Sequence, residues 1–144
     1  MQVRNILKLK GDTGVVTVTP GSTLSAAARI LADRRIGSVV VSSDGGRPEG
    51  ILSERDIVRE IAARGPECLS DRVEAYMTAR VVTCALDDSA DEVLGKMTEG
   101  RFRHMPVVDE GRMVGIVTIG DVVKARLTEL AMEKDALQGM IMGY

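Results

Sequence analysis

The sequence predicts an α+β fold made of two β-α-β-β-α units packed as a pseudo-two-fold pair. Three observations predict it. The run "GILSERD" at residues 50–56 returns as "GIVTIGD" at residues 115–121. The run "VVT" at residues 15–17 returns unchanged at residues 81–83. Between these anchors the copies stay in step: Arg35 matches Arg101 and Ile36 matches Phe102, both 66 positions on, and the offset falls to 65 at the Gly-Ile step. A period of this length marks a duplicated supersecondary unit whose copies bury their apolar faces on each other. The boundaries it implies are 1–66 for the first copy and 67–131 for the second, with a C-terminal helical extension over 132–144.

Each element has its own signal. "VRNIL", from Val3, opens the first copy and is answered by "VEAYM", from Val73. Residues 15–19 are β-branched and short, as expected of a strand. Pro20 and Gly21 then make a turn, and Ser22 or Thr23 caps an Ala-rich helix with Leu24, Ala27, Ala28 and Leu31 on one face. The continuous apolar run at residues 38–43 predicts a buried strand. "DGGRP" is a hairpin turn, residues 49–53 are the return strand, and residues 54–64 are a helix closed by Gly65. The second copy repeats the order, with a helix over residues 90–100, strands on either side of "DEGR", and a helix from Ile119. Residues 66–72 hold the inter-repeat linker. The last helix outruns its repeat: Val123, Leu127, Leu130, Leu137 and Ile141 form an apolar stripe in steps of 4, 3, 7 and 4. That stripe predicts self-association, against the plainer reading of a helix packed on its own repeat.

Composition narrows the function. With 144 residues and 44% apolar content, the chain can build a real core. A net charge of −2 offers no global basic field for nucleic acid or anionic lipid. The three aromatics, Tyr76, Phe102 and Tyr144, cannot assemble a stacking platform for single-stranded nucleic acid. Cys68 and Cys84 lack a CxxC spacing and read as reduced thiols. No apolar run approaches the ~20 residues of a membrane span, and no signal-peptide pattern is present. The expected location is cytoplasmic, with no membrane partner.

Two motifs carry the chemistry. Ser53-x-x-Asp56 and Thr118-x-x-Asp121 each follow a buried strand and open a helix. One reading is a capping box, duplicated with its unit. The other is a ligand seat. A hydroxyl beside the free N–H groups of a helix start suits a phosphate, and a carboxylate one turn on can accept both hydroxyls of a ribose. On spacing alone both readings stand. Arg35 and Arg101 sit at the helix-to-strand junction of each copy. A lone Arg there is a solvated helix end; the same Arg in both copies also offers a fork to phosphate. Arg101, Arg103 and His104 concentrate basic groups in the second copy. The single histidine, His104, cannot build a metal site or a catalytic triad, and no nucleophile–base pair or GxGxxG loop is present. No catalytic residue, no metal and no enzymatic activity are expected.

The order "VEAYMT…VVTC…MTEGRFRHMPVVDEGRMVGIVTIGDVV" strongly resembles a cystathionine β-synthase (CBS) domain, and residues 3–64 resemble a second, more divergent copy. Together they look like a CBS pair, or Bateman module, similar to small bacterial proteins consisting of the pair alone. The resemblance implies two clefts between the units that bind adenosine-containing ligands. It implies that Asp56 and Asp121 hold ribose, that Ser53 and Thr118 lie near ribose or phosphate, and that Arg35 and Arg101 reach phosphate. AMP or NAD(H) is the expected ligand, ahead of ATP, ADP or S-adenosylmethionine; the last ranks below AMP and NAD(H) because Arg35, Arg55, Arg101 and Arg103 attract phosphate and repel a sulfonium.

The copies also differ. Glu54-Arg55 stand where the second copy has Ile119-Gly120, and Gly37-Ser38 where it has Arg103-His104. The clefts are therefore expected to be unequal, with Gly120 leaving room for a bulkier ligand. An adenine is expected between aliphatic side chains around Val18, Cys84, Ile36, Met105 and Ile119. The expected function is a regulatory module sensing energy or redox state, acting as a homodimer on an effector protein. The alternative is a ligand-free dimeric scaffold.

Overall fold

A computed structural model describes residues 1–11 and 14–142. The first unit places β1 (Thr17–Val18), α2 (Leu24–Arg34), β2 (Ser38–Val41), β3 (Gly50–Ser53) and α3 (Glu54–Arg64) in the predicted order, after a helix α1 (Val3–Lys10). Its sheet runs β1-β2-β3, with β1 parallel and β3 antiparallel to β2. The second unit holds α4 (Ala90–Gly100), β4 (His104–Asp109), β5 (Arg112–Thr118) and the 23-residue α5 (Ile119–Ile141).

The first strand of each unit is shorter than residues 15–19 and 81–83 suggest. β1 keeps two residues, and the second unit keeps only a parallel bridge, Cys84 to Val107, beside a two-stranded sheet. Both lie at a sheet edge, where β-propensity without a second neighbour gives little pairing. The 66–72 linker is likewise ordered. Residues Pro66–Ser70 form a 3₁₀ turn with Cys68 buried, and Val73–Ala75 form another.

Those segments explain why both copies open on Val. Val73 packs fully buried in the core of the first unit, with Leu24, Val39 and Leu52. Val3 packs fully buried in the core of the second, with Val93, Met105 and Val117. Each opening segment therefore serves the other copy. The hydrogen bonds repeat the exchange: the Val3 N–H donates to the Asp88 carbonyl at 2.9 Å, and the Val73 N–H to the Ser22 carbonyl at 2.8 Å. Each such Val contributes roughly 1.5–3 kcal/mol of apolar burial, which ties the units together from both ends.

α2 starts where predicted: Thr23 accepts the Ala26 N–H at 3.1 Å. α2 and α4 end on Arg35 and Arg101, both left-handed at φ 53° and 57°. A side chain other than glycine there costs about 1–2 kcal/mol. The same turn in both units sends the chain from helix into strand and leaves both guanidinium groups exposed. The C-terminal stripe is exposed as well. Leu127, Leu130 and Leu137 are each half-exposed or more, and Ile141 is 85% exposed. The expected extension is described to residue 142, and Tyr144 lies outside the described residues.

Candidate functional site

The motif helices are built as capping boxes. Ser53 Oγ accepts the Asp56 N–H at 3.2 Å, and Asp56 Oδ2 accepts the Ser53 N–H at 2.8 Å. Thr118 Oγ1 accepts the Asp121 N–H at 3.1 Å, and Asp121 Oδ2 accepts the Thr118 N–H at 2.9 Å. The capping reading of [ST]-x-x-D is thus realised in both copies. It leaves one oxygen of each carboxylate outside the box. Asp56 Oδ1 takes a hydrogen bond from Arg59 at 2.7 Å. Asp121 Oδ1 has no partner among the described residues, while Oδ2 also meets the Lys10 ammonium at 3.0 Å. Lys10 donates as well to the Ile116 carbonyl at 2.9 Å. Burial works against the Asp121 charge, but the Thr118 N–H and Lys10 outweigh it and hold the carboxyl below its usual range.

Packing of the units brings each box against the other unit's Arg turn. The first cleft, of about 330 Å³, joins Ser53, Arg55 and Asp56 to Arg101, Arg103 and His104. The second, of about 590 Å³, joins Thr118 and Asp121 to Arg35, Ile36 and Ser38. Eleven of the sixteen expected residues therefore converge, in two groups, each crossing the repeat boundary.

Five do not. Val18, Cys84 and Met105 are 6%, 4% and 0% exposed and belong to the cores beneath the clefts. Ile119 packs against the core of the second unit, and Gly120 lies exposed on α5 and lines neither cleft. For Met105 the reason is alternation: it follows His104 on β4, and successive strand residues point to opposite faces, so one step exchanges cleft for core. The apolar walls are instead Val15, Val16, Ile36 and Ile116 in the second cleft, and Ile51, Val81, Val82 and Phe102 in the first. A signal for two of these was available. Ile51 and Ile116 stand two residues before Ser53 and Thr118, on the same strand face. Lys10, Arg59 and Arg80 also line the clefts, and no motif spacing pointed to them.

His104 lines both clefts. It packs across the unit boundary against Gly37, where an added Cβ would stand 2.8 Å from Nε2. Burial holds its pKa below the usual value, with Glu54 pulling the other way, so the ring is neutral at pH 7. Among the described residues no cluster of His, Cys, Asp or Glu could hold a metal ion. No helix among them is long and apolar enough to cross a membrane. Each cleft thus offers a helix N-terminus, a guanidinium, a carboxylate and an aliphatic wall. That set can hold a phosphorylated, hydroxylated and flat apolar molecule by different parts.

The sequence profile of the CBS domain matches residues 5–63 and 73–128. A CBS-domain containing protein from Agrobacterium tumefaciens is 44% identical, with a TM-score of 0.83 over 88% of this chain and 99% of that one. A CBS domain protein from Pyrobaculum aerophilum, solved complexed with AMP, is 28% identical, with a TM-score of 0.77 over 92% of this chain and 99% of that one. A CBS domain pair solved in complex with 5′-methylthioadenosine and S-adenosyl-L-methionine is 28% identical, with a TM-score of 0.77 over 90% of this chain and 98% of that one. Two curated relatives from Arabidopsis thaliana differ in extent: this chain spans 72% of one and 25% of the other.

Proposed function

We propose, on the premise that this chain belongs to the CBS-domain family and carries two copies of the domain, that it is a regulatory module without catalysis. Its clefts bind an adenine nucleotide, AMP or NAD(H) ahead of ATP, ADP or S-adenosylmethionine, and report energy or redox state. The observation that carries the reading is the crossing of units at each cleft. A ligand held by Asp56 and Arg101, or by Asp121 and Arg35, bridges both copies, and so favours the arrangement of units to which it binds more tightly. The proteins solved with AMP and with S-adenosyl-L-methionine support adenosine as the common element. They do not rank the ligands. The arginines place S-adenosylmethionine below AMP and NAD(H), because they favour phosphate over sulfonium.

The proposed assembly is a cytoplasmic homodimer that passes its state to an effector protein. Leu127, Leu130, Leu137 and Ile141 repeat at heptad spacing along α5, with Lys134 at the one polar position of the seam. A second reading, the ligand-free dimeric scaffold, is favoured by the completed capping boxes, in which each Asp already has a structural task.

Denaturing freshly purified protein and analysing the supernatant by mass spectrometry separates the two. A stoichiometric adenine nucleotide supports the first reading. An empty supernatant, with no thermal shift from AMP or NADH, supports the second. A larger shift from S-adenosylmethionine than from AMP or NADH at matched concentration reverses the ligand order.

A further inference from the structure

The duplication lets each cleft act as a control for the other, and the basic residues are not shared equally. Arg55, Arg80 and Arg103 surround the first cleft. Their counterparts at the 65- and 66-residue offsets are Gly120, Gly14 and Gly37. Two of these glycines, Gly14 and Gly37, line the second cleft, so two positions that carry a guanidinium around one cleft carry no side chain at all around the other, and the third, Gly120, lines neither. Arg101 is matched by Arg35, and one exchange runs the opposite way, Gly100 against Arg34. The second cleft keeps Arg34, Arg35 and Lys10, of which Lys10 is already held by Asp121 and the Ile116 carbonyl.

The arginines of the first cleft are uncommitted. Arg55, Arg80, Arg101 and Arg103 are exposed, and their side chains have no hydrogen bond or ion pair among the described residues. Arg59 also lines the cleft, paired with Asp56. Four unpaired like charges around one concavity repel one another, and an anion among them relieves that repulsion. Each guanidinium offers a planar fork matched to phosphate oxygens. One phosphate can be held by two such forks; four forks and a helix N-terminus exceed what one phosphate needs. The second cleft is larger, 590 against 330 Å³, and poorer in free cations.

We infer that the first cleft is specialised for a ligand carrying two or more phosphates, and the second for one carrying at most one phosphate. The inference deepens the nucleotide reading above and rests on it for the adenosine part; for the first cleft it departs from the order given there and puts NAD(H), ADP and ATP ahead of AMP. The ligand class for the first cleft is a nucleotide with a pyrophosphate or triphosphate, free or within a dinucleotide.

The test is calorimetric titration of wild type and the R80Q/R103Q variant with AMP, ADP, ATP and inorganic tripolyphosphate, at constant ionic strength. Both side chains are exposed and unpaired, so the variant keeps the caps and the cores. The expected result is one site that tightens at least tenfold from AMP to ATP, and that loses about tenfold for ATP in the variant while AMP stays within about threefold. Equal affinity along the series, or equal losses for AMP and ATP in the variant, overturns the specialisation and leaves the nucleotide reading standing. Variant-sensitive binding of tripolyphosphate with no gain from adenosine keeps the oligophosphate cleft and overturns the nucleotide reading. No binding of any of the four overturns both.

Discussion

Asp121→Ala and Thr118→Ala separate the two tasks of the motif. Both remove one arm of the α5 capping box, at about 1 kcal/mol each. Asp121→Ala also frees Lys10, whose side chain and that of Asp121 are 23% and 24% exposed. An ion pair at that depth adds about 1 kcal/mol, so the expected losses are about 2 kcal/mol for Asp121→Ala and ~1 for Thr118→Ala. At roughly 2–4 °C per kcal/mol for a chain of this size, melting falls by about 4–8 °C and 2–4 °C. The pH dependence has a fixed sign. The folded carboxyl lies below its ordinary value of 3.8, so its stabilisation is full above that value and is lost as pH falls through the folded one. The gap between wild type and Asp121→Ala therefore closes in acid. Binding is affected in the same order. A carboxylate taking two ribose hydroxyls loses roughly 1.5–3 kcal/mol on removal, and a hydroxyl ~1. Calorimetry of AMP and NADH against both variants, beside thermal melts, reads both quantities. Destabilisation without any change in nucleotide affinity would refute the ligand role and leave Asp121 a cap.

Other outcomes follow from single environments. His104 is held below its ordinary pKa of 6.5, with Glu54, Lys10, Arg103 and Asp121 facing it. The unfolded chain then binds more protons, so urea stability should fall as pH drops below about 6.5, and His104→Gln should flatten that slope. Burial pushes the Cys84 thiol up to about 12, so a thiol reagent at pH 8 should leave it unmodified in the folded state and react once denaturant is added. Light scattering should give at least twice the 15.5 kDa chain mass, and Leu130→Glu with Leu137→Glu should return a monomer without lowering the melting temperature of the units.

The duplication was legible because both copies kept their Gly-Ile steps, their [ST]-x-x-D boxes and an Arg at the same turn. These are local signals set by caps and turns. The cross-packing of Val3 and Val73 was not legible, since nothing local in "VRNIL" says which core receives it. For the same reason Lys10 was not expected at Asp121. The cleft walls were not legible from strand parity: Val16 and Val18 share a parity, yet Val18 lies in the core while Val16 packs on that core and also lines the cleft with Val15. Arg80 escaped notice because it precedes the second "VVT" as an ordinary surface residue, and only the closed cleft gives it company.

The central claim is that a nucleotide bridges the two units through Asp56 and Asp121. Thermal unfolding of wild type and the Asp56→Ala/Asp121→Ala variant, each with and without saturating AMP or NADH, tests it most directly. At a hundred times the dissociation constant a ligand adds about 2.7 kcal/mol to a single site. The account predicts a rise of roughly 5–11 °C in wild type, and a rise cut to about half of that or less in the variant. No rise in wild type at millimolar ligand, or an equal rise in both proteins, would contradict it.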